Sequence, residues 1–289
     1  MCSNNNVTFF KVINWAFVAF HLCFLIACVV TVESRGADNP LTLYYQIEVS
    51  HGLLINVYPI YIATFTHLAG LLFHGIFALS GTAIVDEYFA YNFTNPIRWV
   101  LQFVVDGSAL VGLMCVHGFH QVDSILMVLI IFASTLGYCY LQDQYLNSGN
   151  AFNPDKEPHV FAVPFYIAMI FIIVAKSSEH INDETSIRLA IVTLVSLFQT
   201  LIMFMLQRLH IRYRYVNVSG DDDDTDGTDE ADDGELGNVM KKGDKIDMVL
   251  DEIRRGIRYE ALYYINGMLF EMTITWIIIS ITRTNQVLH

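Results

Sequence analysis

FFKVINWAFVAFHLCFLIACVVTV, residues 9–32, contains a single lysine and a single histidine in a run that is otherwise apolar or neutral. A helix needs about 20 mostly apolar residues to cross the roughly 30 Å hydrocarbon core of a bilayer, and this run is long enough. No small-residue cleavage site follows the short polar start MCSNNNVT, so the run is expected to stay as a first spanning helix. Working outward, six further stretches satisfy the same criterion: 58–82, 97–118, 123–142, 159–176, 187–209 and 259–282. The fifth is the weakest, being short and ending in Lys176. The expected fold is therefore an all-α membrane protein with a bundle of seven transmembrane helices.

Composition agrees with that reading. Hydrophobic residues make up 54% of the 289-residue chain and charged residues only 16%, against about 25% charged in ordinary globular domains. The net charge of −13 comes largely from one run, DDDDTDGTDEADDGE at 221–235. A like-charge block of this kind cannot bury apolar surface and is expected to be a disordered, solvated insert. Nucleic-acid binding needs a basic face and is not expected. Cys2, Cys23, Cys28, Cys115 and Cys139 form no CxxC pair, and four of the five lie in apolar runs, so they read as packing residues.

The connections add detail. LTLYYQIEVS-HG-LLINVYPI, between the first and second spans, is rich in β-branched and aromatic residues around His51-Gly52. It is expected to form a β-hairpin in the first extracellular loop. Lys11, Arg98, Lys156 and nine basic residues flanking the acidic run fall on the side of the amino terminus. Only Arg35, Lys176, Arg188 and Arg283 fall on the other. Twelve against four places the amino terminus in the cytoplasm and the carboxyl terminus outside. Sequons at Asn6, Asn92 and Asn217 then face the cytoplasm and stay unmodified. The organisation expected is a cytoplasmic amino terminus at 1–8 and six spans over 9–209. A cytoplasmic loop with the acidic insert follows at 210–258, and the seventh span with a short extracellular end at 259–289.

Ionisable groups inside a membrane are costly and usually face a cavity or a partner. Here they are His21, His67, His74, Asp106, His117, His120 and Glu271. His67 and His74, two helical turns apart, share one face. A metal site wants ligands one turn apart or a convergent set, so no metal site is expected, and a hydrogen-bonded polar cavity is. Glu271 lies in mid-helix with no basic neighbour and is expected to be neutral unless a cation approaches it. No nucleophile–base–orienter set or phosphate-cradling glycine loop is visible, so an enzyme is not expected.

Asn95-Pro96-Ile97-Arg98-Trp99-Val100 resembles the segment that opens helix three of the heliorhodopsins, the rhodopsin family with inverted membrane orientation. His74, in Leu72-Phe73-His74, is similar to the family's helix-two histidine, and His21 to its partner in a polar cavity that also takes in Asn95. Leu126-Met127-Val128-Leu129-Ile130 resembles helix four, Phe204-Met205-Leu206-Gln207 the close of helix six, and Arg258-Tyr259-Glu260 with Trp276 the frame of helix seven. The resemblance implies a rhodopsin-like bundle of photoreceptor or sensory type, a homodimer in the bilayer and an unidentified signalling partner. It also implies a retinal pocket, with Trp99, Gln102, Phe103, Asp106, Gly267, Phe270 and Trp276 as candidate lining.

The departures from the family matter as much. Its retinal-binding lysine lies five residues before the helix-seven Trp, and that position here is Glu271. Its counterion glutamate follows the Arg-Trp-x segment, and that position is Leu101. Both halves of the ion pair are missing together, which is coherent because a buried charge without its partner is expensive. A carboxyl group cannot form an imine, so covalent retinal is not expected. Two functional readings follow: a heliorhodopsin-like sensory protein without covalent retinal, or a proton or ion relay through Glu271, Asp106 and the histidines.

Overall fold

Pro59 opens a 21-residue helix at the position where a missing N–H costs nothing, and Ser80 ends it by returning its N–H to the Ile76 carbonyl at 2.8 Å. Asn95 does comparable work further on, where its side-chain oxygen accepts the Ile97 N–H at 3.1 Å and starts the next long helix behind Pro96. The computed structural model describes residues 4–35, 41–47, 50–89, 95–117, 119, 121–147, 158–178 and 234–284, with isolated residues between 194 and 209. Seven α-helices occur among the described residues. They are α1 (Asn4–Arg35), α2 (Pro59–Leu79), the single turn α3 (Gly81–Ile84), α4 (Ile97–Val116), α5 (Val122–Asn147), α6 (Pro158–Ser178) and α7 (Gly234–Thr284). A π-helical turn, Val85–Phe89, follows α3 directly.

Five of these helices are long and apolar enough to cross a membrane: Asn5–Ser34, Pro59–Leu79, Ile97–Val116, Val122–Gln144 and Ile253–Thr282. Val160–Ala175 is a shorter apolar helix where the fifth span was expected. The expected sixth span, 187–209, lies largely outside the described residues, and those described between Leu194 and Leu209 are helical. Several long apolar helices of this kind are what a multi-pass membrane protein has. Their outward faces carry Leu72, Leu79 and Ile130 in exposed positions, while His67, His74 and Asp143 of the same helices are buried. That inside-out distribution suits a lipid solvent.

Two details differ from the sequence reading. The strands β1 (Leu41–Ile47) and β2 (Ser50–Val57) pair antiparallel, from Leu41 opposite Val57 to Ile47 opposite Ser50, so β2 runs through His51-Gly52 instead of breaking there. The irregularity falls nearby, where Leu43 pairs with Ile55 and Tyr44 with Leu53, leaving Leu54 unpaired; glycine near a bulge is a common companion. Second, α7 begins at Gly234, well before the expected start of the seventh span. Asp251 bonds Arg254 at 3.2 Å and Arg255 at 2.7 Å one turn on, and Ile253 and Ile257 are buried. Over 251–257 the helix is therefore amphipathic, with a polar face that looked like loop. The acidic residues 221–233 lie outside the described residues.

α1 packs chiefly on α2, α2 on α4 and α5 on α6, while α7 touches α1, α2 and α4. The packing resolves into two apolar clusters. One contains Phe10, Phe17, Phe77, Leu101, Val105, Ile257 and Tyr264. The other contains Cys28, Ile60, Ala63, Leu113, Phe132, Ile274 and Ile278. On each of α1, α2, α4 and α7, the residues between those two clusters include a buried ionisable side chain.

Candidate functional site: a buried polar layer

Those side chains are His21 on α1, His67 on α2, Asp106 on α4 and Glu271 on α7, all at most 7% exposed. Nδ1 of His21 lies 3.1 Å from Nδ1 of His67 and 3.5 Å from Oε2 of Glu271. Nε2 of His67 meets the Thr275 hydroxyl at 2.8 Å. Asp106 and Glu271 are joined by a carboxyl–carboxyl hydrogen bond, and such a bond exists only when the pair holds a proton. Oε2 of Glu271 has no hydrogen-bond partner. Four helices thus deliver two imidazoles, two carboxyl groups and a hydroxyl to one water-poor volume.

Two glycines make the approach feasible. A Cβ on Gly70 would stand 2.3 Å from Cε1 and 2.5 Å from Nε2 of His21, so the imidazole lies directly on the α2 backbone. A Cβ on Gly267 would stand 3.3 Å from Oδ1 of Asp106 and 3.8 Å from Oε1 of Glu271. Gly267 therefore leaves room for the carboxyl pair one helical turn before Glu271.

The layer continues towards one end of the bundle. His74 stacks on His21 with ring centroids 5.4 Å apart, and its Nδ1 donates to Oδ1 of Asn14 at 2.8 Å. That assignment follows because Asn14 uses its Nδ2 to donate to the Phe10 carbonyl at 2.9 Å. The Tyr264 ring meets His74 edge-on at 4.8 Å, and its hydroxyl donates to Oε1 of Glu260 at 2.6 Å. Asn95 reaches the same hydroxyl at 3.5 Å.

Glu260 belongs to a second ionic group. Arg98 on α4 donates to Oε2 of Glu260 at 2.6 Å and to Oδ2 of Asp143 on α5 at 3.0 Å. The Trp99 indole N–H also donates to Oδ2 of Asp143, at 2.8 Å. The guanidinium carbon lies 4.4 Å from the Trp99 ring centre and 4.3 Å from that of Tyr263. A fully buried cation is thus held by two carboxylates and two aromatic faces, which compensates its desolvation and ties α4, α5 and α7 together.

The sequence-derived residues are distributed unevenly over this arrangement. His21, His74 and Asn95 do gather along one polar path. Glu271, Asp106 and Gly267 gather as well, with the Glu271 carboxyl engaged by Asp106. Leu101 is buried in one apolar cluster, and Phe270 packs in the other. Gln102 is buried on α4, and Trp99 belongs to the Arg98 group. Phe103 and Trp276 are 43% and 68% exposed and do not join the site. A cleft of about 430 Å³ between α2 and α4, lined by Tyr58, Tyr61, Phe65 and Ser108, contains none of the candidate lining residues. His120 lies outside the described residues. Asn14, Asp143, Tyr264 and Thr275 escaped the sequence reading. Only Asp143 carried a usable signal, as a carboxylate just past an apolar span in a chain whose Arg98 needed a partner. The chain matches no family model, and no curated protein aligns significantly with it.

Proposed function

We propose that the chain is a sensory-type membrane protein built on the seven-helix, heliorhodopsin-like plan, in which a buried polar layer stands where that plan holds covalent retinal. The observation that carries this reading is the environment of Glu271. At the position matched to the anchoring lysine, the carboxyl group is bonded to Asp106 and turned towards His21. Leu101 at the counterion position is packed among apolar residues, as befits a site with no Schiff base to neutralise. The amino terminus is cytoplasmic, the paired strands β1 and β2 are extracellular and the chain pairs with a second copy in the bilayer. Incubating the purified protein with all-trans-retinal and denaturing it in acid tests the reading. No trapped imine is expected, and a trapped imine would overturn it.

A second reading, a proton relay, is favoured by the hydrogen-bonded carboxyl pair of Asp106 and Glu271 beside His21 and His67, in a layer that ring contacts extend through His74 to Tyr264 and Glu260. Proton relays through membrane bundles use the same ingredients. Proteoliposomes under a pH gradient decide this reading. A flux abolished by Glu271→Gln supports the relay, and no flux from the unaltered protein eliminates it.

A further inference from the structure

Within the polar layer, three donors on three different helices point at one another. Nδ1 of His21 is 3.1 Å from Nδ1 of His67 and 3.5 Å from Oε2 of Glu271. The three ligand atoms all lie within 4.8 Å of one another. A tetrahedral centre with bonds of about 2.0–2.1 Å separates its ligand atoms by about 3.3 Å, and the two short separations bracket that figure. We propose that His21, His67 and Glu271 form a binding site for a divalent transition-metal ion of the Zn²⁺ class.

Independent features of the site point the same way. Oε2 of Glu271 is buried without a hydrogen-bond partner and faces the two imidazoles. A buried carboxylate oxygen left this way costs free energy, which a cation would recover. Nε2 of His67 is tied to Thr275 at 2.8 Å. With its proton on that nitrogen, the ring offers the Nδ1 lone pair to the centre, the usual arrangement behind a metal-bound histidine. Asp106, bonded to Glu271, orients the ligating carboxyl in the same manner.

With the shared proton kept on Asp106, which then donates to Glu271, the ionised Glu271 ligand offsets one of the two positive charges of a dication held between neutral histidines. Imidazole with carboxylate selects zinc-like ions over Mg²⁺ and Ca²⁺, which prefer all-oxygen sites. Three protein ligands leave a fourth position for water or another small donor. Bound metal would pin α1, α2 and α7 together. The site rests on these donors alone and holds whether or not the chain shares the heliorhodopsin plan.

Cobalt(II) is the probe of choice, because a tetrahedral nitrogen–oxygen site gives it intense visible bands that an all-oxygen, octahedral site does not. The competitor within the chain is the acidic run 221–235, which offers only oxygen donors. The full-length protein in detergent is titrated with Co²⁺ in excess Mg²⁺, with long incubation because the site is buried. Tetrahedral-type bands saturating at one ion per chain, displaced by Zn²⁺ and lost in both His67→Gln and Glu271→Gln, are expected. Thr275→Val keeps every ligand and should weaken binding about 10–100-fold through lost orientation of His67. Absence of tetrahedral bands from the unaltered protein, or bands that persist in both ligand variants, would overturn the proposal. Where a ligand variant does not fold, Thr275→Val decides, and an unchanged affinity overturns it.

Discussion

Adding one methyl group at Gly70 is expected to dismantle the polar layer from a position that makes no polar contact itself. A Cβ there would lie 2.3, 2.5 and 2.7 Å from Cε1, Nε2 and Nδ1 of His21, where ordinary contact begins at 3.4 Å. The ring must therefore retreat by about 1 Å. His21 holds His67 at 3.1 Å and Glu271 at 3.5 Å, so a retreat of that size breaks one contact or both. Overpacking in a close-packed interior costs about 1–3 kcal/mol. The assay is reversible unfolding in mixed micelles of the unaltered protein, Gly70→Ala, His21→Ala and the double variant. If the clash is with the imidazole, removing the ring relieves it. The double variant should then be less destabilised than the two single losses added together, by about 1–3 kcal/mol. Strict additivity would refute the placement of His21 against the α2 backbone.

Two further predictions follow from the same geometry. Arg98→Met leaves the Asp143 and Glu260 carboxylates buried without their cation and should cost about 3–5 kcal/mol; combining it with Asp143→Asn and Glu260→Gln should return much of that loss, measured by the same unfolding assay. Gly267→Ala presses a Cβ to 3.3 Å from Asp106 and should weaken Co²⁺ binding at the His21–His67–Glu271 site while leaving the Arg98 group, and hence most of the stability, intact.

Five of the expected spans coincide with helices long and apolar enough to cross a membrane, and they were legible because a bilayer dictates both the length and the polarity of what crosses it. Hydropathy does not report how a helix is rotated about its axis. Phe103 and Trp276, which the family resemblance placed in a pocket, are exposed, while Thr275, one residue from Trp276, bonds His67. Nor does it report which helices meet at what depth. His67 and His74 share a helix face, yet His67 turns to Glu271's neighbourhood and His74 to Asn14. The convergence of His21, His67, Asp106 and Glu271 depends on the register of four helices at once, and a pattern read one helix at a time cannot contain it. The early start of α7 was hidden by its polarity, since Asp251, Arg254 and Arg255 stabilise a helix through pairs that a search for apolar runs discards. His21 stood out as an ionisable group in an apolar run, whereas Asn95 was singled out only through the family resemblance.

Under the proposed heliorhodopsin-like plan Glu271 stands at the chromophore-anchoring position, and installing an amine there tests that proposal most directly. Glu271→Lys would place an amine beside Asp106, whose carboxylate could serve a protonated Schiff base as counterion, a role that Leu101 cannot fill. The account predicts that acid denaturation after incubation with all-trans-retinal traps an imine in Glu271→Lys and none in the unaltered protein. A folded Glu271→Lys variant that traps no imine would contradict it, and so would an imine in the unaltered chain.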